Sequence, residues 1–128
     1  MPKVFSSMRG LACGALFILL SCSALAADAP QHRALDFSVV NGAIANAAAA
    51  GIAEDTLKVQ QGDEIELKWS SDKAMELHLH GYDIEVKLAP QKPAAMKFKA
   101  SIPGRFPIEQ HGQGPGHHKP VLYLEVRP

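Results

Sequence analysis

Cysteine is nearly absent from this chain of 128 residues: Cys13 and Cys22 are the only two, and both precede Ala26. Residues 27–128 therefore offer no disulfide, no thiolate metal ligand and no thiol nucleophile. Ser70, Ser71 and Ser101 are scattered, and no nucleophile–base arrangement accompanies them, which argues against hydrolysis. No basic patch stands out, which argues against a nucleic-acid partner. A bilayer-spanning run is also missing, because the apolar stretch Leu11–Leu20 falls well short of the ~20 residues that a spanning helix needs. No internal repeat occurs, and no low-complexity tract beyond an alanine run.

That apolar stretch follows the positive Lys3 and Arg9 and precedes Ala24-Leu25-Ala26, a small-x-small cleavage pattern. The order reads as a secretory signal peptide over residues 1–26, with one domain at 27–128. A rival reading takes Leu19-Leu20-Ser21-Cys22 as a lipobox, with Cys22 lipidated and the protein anchored to a membrane. Removing Lys3 and Arg9 leaves 11 basic side chains from 13, against 13 acidic ones, a net charge near −2. About a hundred residues suffice for a modest core without staples.

What the chain does have is histidine in a pattern. In Glu76-Leu77-His78-Leu79-His80-Gly81-Tyr82 the side chains alternate faces if the backbone is extended. Leu77 and Leu79 then fill one face, and His78 and His80 stand on the other, about 7 Å apart, close enough to share a metal ion. His111, His117 and His118 fall in one glycine-rich stretch near the C-terminus, with Gly112, Gly114, Gly116 and Pro115 allowing tight turns. A fold that lays this stretch beside His80 makes a histidine-rich metal site. His32 reads as solvated, Trp69 and Tyr82 as core or interface residues, and Met75 and Met96 as core filler, with soft ligation of Cu(I) as the alternative for the two methionines. Glu109 and Asp83 read as surface charge, with a ligating carboxylate oxygen or a supporting hydrogen bond to a ligating histidine as the alternatives.

The rest alternates in short segments. Leu35–Val39, Thr56–Val59, Glu64–Trp69, Met75–His80, Tyr82–Leu88, Met96–Lys99, Phe106–Gln110 and Val121–Val126 read as strands. Turn signals separate them at Asn41-Gly42, Gln61-Gly62-Asp63, Ser70–Lys73, Ala89–Pro93 and Pro103-Gly104. Pro107 calls for an edge or a bulge. Ala43–Ala53 fits either a short helix or an irregular connection. About seven or eight short strands with regular turns predict an all-β, antiparallel Greek-key sandwich.

The order of these features resembles the cupredoxins, the Greek-key sandwiches that carry mononuclear copper. Gly62-Asp63 stands before Glu64–Trp69, Ser71-Asp72 before His78 and Ala89-Pro90 before Met96-Lys97-Phe98. Pro103-Gly104-Arg105-Phe106, the histidine–glycine loop at 111–118 and Leu122–Val126 complete it. The resemblance places His78 at the family's first histidine ligand. It places Gln110 where the family has its cysteine, so the thiolate that a blue type 1 centre requires is missing. His78-Leu79-His80-Gly81 also resembles the His-x-His copper pairs of multicopper oxidases.

The resemblance implies a cysteine-free mononuclear site drawn from His78, His80, His111, His117 and His118. Imidazole sets suit Cu(II), Zn(II) and Ni(II), and the Irving–Williams order favours copper. The expected role is periplasmic copper handling by delivery, buffering or tolerance, without catalysis. The expected partners are the metal ion and a periplasmic or membrane-bound copper protein or oxidase. Two alternatives remain: a type 2 copper redox or electron-transfer accessory, and a metal-free sandwich that serves as a binding module.

Overall fold

The structure is a computed structural model, which describes residues 29–111 and 118–128. The expected signal peptide, Cys22 and His117 lie outside the described residues. Nine strands occur among those described: β1 (His32–Val40), β2 (Ala43–Ile44), β3 (Thr56–Gln60), β4 (Glu64–Ser71), β5 (Met75–Leu79), β6 (Ile84–Leu88), β7 (Ala94–Lys99), β8 (Gly104–His111) and β9 (Lys119–Arg127). They form a four-stranded sheet in the order β2-β1-β4-β7 and a five-stranded sheet in the order β3-β9-β8-β5-β6.

The period-2 pattern sets which side of each strand meets the core. Ile65, Leu67 and Trp69 of β4 are buried, as are Leu77 and Leu79 of β5 and Leu122, Leu124 and Val126 of β9. Each such side chain contributes about 1.5–3 kcal/mol by leaving water. Trp69 stacks on Phe37 of β1 at 4.7 Å between ring centroids, and a pair of this kind adds about 0.5–1.5 kcal/mol to the burial. Met75 and Met96 are core residues, so neither is a candidate ligand.

The all-β sandwich expected from the sequence is present, with one difference in pairing. β1 runs parallel to β4, and β3 parallel to β9, where an all-antiparallel arrangement was expected. Alternation reports which residues face the core but not which strand lies alongside, so pairing direction has no local signal. Pro107 sits in β8, an interior strand, beside a register irregularity at Ile108/Glu109, consistent with the rule that proline enters sheets at bulges.

Asn41 and Gly42 have φ values of 52° and 77° and join β1 to β2, the double positive φ of a two-residue hairpin turn. The alanine run is not helical. Ala43 and Ile44 pair with β1, and the rest is a series of turns. Asn46 ties these turns to β1, accepting from Ser38 N at 2.9 Å and donating to Asp36 O at 2.7 Å. Gly51, at φ 70°, then turns the chain away. Tertiary anchoring overrides the helix preference of alanine.

Asp63 is the main buried charge of the scaffold. Its carboxylate accepts from Gln31 N at 2.9 Å and from Gln60 N at 3.1 Å. Its backbone carbonyl accepts from Ala100 N at 2.8 Å. One residue thus holds the lead-in to β1, the β3–β4 turn and the end of β7. Substituting Asp63→Ala strands two backbone donors, and denaturant unfolding should show a loss of about 2–3 kcal/mol. An unchanged midpoint would show that these bonds are not needed.

Candidate metal centre

Strand register assembles the site. β5 and β8 pair antiparallel with His78 opposite Glu109, Glu76 opposite His111 and Leu79 opposite Ile108. Leu77, Leu79 and Ile108 are fully buried. The residues between them, His78, Glu109 and His111, therefore stand on the face of the five-stranded sheet turned away from the core. Gln110 pairs with Leu77 instead. A Cβ added at Gly42 would lie 3.3 Å from Gln110 Oε1, so this side chain reaches toward the β1–β2 turn and away from the histidine face.

β5 ends at Leu79, and the chain turns through Gly81 (φ 81°) and Asp83 (φ 54°). The His80 amide donates to Pro107 O at 3.1 Å, which fixes its position beside β8. The His78 and His80 rings come to 4.2 Å between centroids, nearer than two residues on a flat strand face. His111 lies 5.3 Å from His78 and 6.0 Å from His80, also between centroids. One nitrogen from each of these three imidazoles falls within 4.8 Å of the others.

The polar atoms here are poorly satisfied by protein. Both ring nitrogens of His78 and Nε2 of His111 are buried without a hydrogen-bond partner. Asp83 Oδ1 lies 3.4 Å from His78 Nε2 but misses hydrogen-bond geometry, and its side chain is almost fully exposed. An orphaned buried polar atom costs about 1–3 kcal/mol, a cost that a bound cation removes. His80 is better held, since Glu109 Oε2 accepts from its Nε2 at 3.0 Å. A carboxylate only accepts, so the neutral ring keeps its lone pair on Nδ1. This is the supporting bond that orients metal-binding histidines. Glu109 is thus engaged by His80 and is not a free surface charge.

His118 also lies near, its ring centroid 5.2 Å from that of His111. Its nitrogen, one from His111 and a Glu109 oxygen form a second group within 4.8 Å of one another. His32 is exposed at the start of β1, in the other sheet. Tyr82 packs on Phe98 and Phe106 and bonds Ile102 through its hydroxyl.

Three comparisons place this architecture. One solved structure, the periplasmic domain of subunit II of cytochrome oxidase from Bradyrhizobium japonicum, matches at a TM-score of 0.57 and 13% identity, over 73% of this chain and 82% of that one. A copper binding protein in its apo form matches at a TM-score of 0.52 and 8% identity, over 79% of this chain and 93% of that one. A multicopper oxidase matches at a TM-score of 0.55 and 19% identity, over 76% of this chain and 42% of that one. The fold is cupredoxin-like. At these identities the likeness is one of fold. No protein-family model and no curated protein matches the sequence. The donor set of this cupredoxin-like chain lacks the sulfur of a blue centre and is rich in imidazole, which suits Cu(II), Zn(II) and Ni(II).

Gly81 makes the turn that follows His80. A Cβ there would collide with the Phe106 ring, and the φ is one that residues with a side chain rarely adopt. Gly81→Ala should therefore both destabilise the fold, by about 1–3 kcal/mol, and separate the two rings. Thermal unfolding and the imidazole resonances of His78 and His80 report the two effects. Wild-type values for both would refute this role for Gly81.

Proposed function

We propose that this chain is a periplasmic copper-binding protein that handles Cu(II) as cargo, by delivery, buffering or tolerance, through His78, His80 and His111. His118 stands next to that set, and His117 completes the candidate ligands. In this reading residues 1–26 direct export and are removed, and lipidation at Cys22 is the alternative route to the same compartment. The observation that carries the proposal is the convergence of three imidazoles, two of which, His78 and His111, hold buried nitrogens without protein partners. A sandwich that had merely kept the fold would have no reason to hold these donors unsatisfied.

The residues divide the work. His78 and His111 supply nitrogens already shielded from water, so little solvent has to be displaced from them. His80 supplies Nδ1, with Glu109 fixing the ring through Nε2. Without a thiolate the set gives Cu(II) an ordinary type 2 environment and none of the intense thiolate-to-copper colour. Likeness to an oxidase subunit domain favours a second reading, in which the protein serves a copper oxidase as a redox accessory. A reversible potential with turnover from an electron donor would support that reading.

Protein produced without a histidine tag should bind one Cu(II) with a type 2 EPR signal. Replacing both His78 and His80 by alanine should weaken binding by more than about a hundredfold, since losing even a supporting partner of a ligand costs about 10–100-fold. Retention of full affinity in that double variant would refute the assignment.

A further inference from the structure

The two donor groups are not independent, because both contain His111. The first comprises His78, His80 and His111, and the second Glu109, His111 and His118. They differ in access. The His78 side chain is 15% exposed and surrounded, whereas His118 is exposed to solvent. They differ in chemistry as well, three imidazoles against two imidazoles and a carboxylate. The nitrogen-rich set is the stronger one for Cu(II).

We propose that Glu109, His111 and His118 form an outer ion position that passes copper to and from the inner position at His78, His80 and His111. The proposal rests on the copper reading above and adds a route to it. A neutral imidazole has a single lone pair, so His111 binds an ion in one position or the other but not in both. Two divalent ions this close would also repel each other strongly. The pair of sites therefore holds one ion at a time and is a path for it.

Glu109 couples the two positions. In this structure it accepts from His80 Nε2, its place when the inner position is in use. As an outer ligand it leaves His80 and binds the ion with His118. Inward transfer breaks the bonds to Glu109 and His118, forms bonds to His78 and His80, and returns the carboxylate to the His80 ring. His111 is the ligand common to both positions. No electron moves, no proton is gained or lost by the ligands, and the ion keeps its charge.

The test is the kinetics of Cu(II) loading and of Cu(II) release to a chromophoric chelator, alongside the equilibrium affinity. His118→Ala should slow loading and release alike, by about tenfold or more, with the dissociation constant unchanged. Glu109→Gln should slow loading more than release, because the charged outer ligand is gone and the charged partner of His80 is lost with it, which also weakens the equilibrium affinity. Wild-type rates in both variants would overturn the proposal. So would faster release with weaker binding in His118→Ala, which would make His118 a ligand of the resident ion in a single site. Failure of the wild-type protein to bind Cu(II) at all would instead sink the copper reading, and is visible before any variant is made.

Discussion

The burial of Leu77, Leu79 and Ile108 between the two sheets is the constraint on which the site depends. These side chains fix the rotation of β5 and β8 about their own axes. Because side chains alternate, a slip of one residue would bring the leucines out and turn His78 and Glu109 into the core. The hydrophobic effect thus orients the polar residues although it acts on their neighbours. The apolar area that holds β5 in place is an indirect clamp on the imidazoles.

On the outward face, the same register decides which groups meet. Glu85 lies across β6 from His78, Glu109 lies across β8 from it, and Glu76 stands opposite His111. Carboxylates therefore border the histidines on several sides, with Glu76 partly engaged by Lys87 at 3.7 Å. This arrangement favours a cation and disfavours an anion near the rings. It also exacts a local cost, since buried ring nitrogens of His78 and His111 lack partners. Such strain against local stability is common where a structure is prepared for a ligand.

The positions of Gln110 and His111 explain why the fold and its usual metal chemistry part company. Adjacent residues on a strand face opposite ways, so the donor on the outward face is His111, and Gln110 reaches back toward the β1–β2 turn. A nitrogen and oxygen donor set is left, without the sulfur from which the covalent copper–sulfur character of a blue centre comes.

Much of this was legible in the residues. The alternation around Leu77–His80 placed two histidines on one face, and the punctuation by Asn41-Gly42, Gly62-Asp63 and Pro103-Gly104 separated the strands, because both signals are local. Pairing partners, the parallel β1–β4 and β3–β9 contacts, and the non-helical course of Ala43–Ala53 were not legible, because each depends on residues far away in sequence. The sequence by itself determined an all-β chain with no cysteine after residue 26 and a histidine pair facing one way. Only the tertiary structure decided that β8 lies beside β5, so that His111 and Glu109 join that pair and His118 adjoins them. Side-chain periodicity is a property of the backbone, whereas proximity between distant strands is set by how the whole core packs.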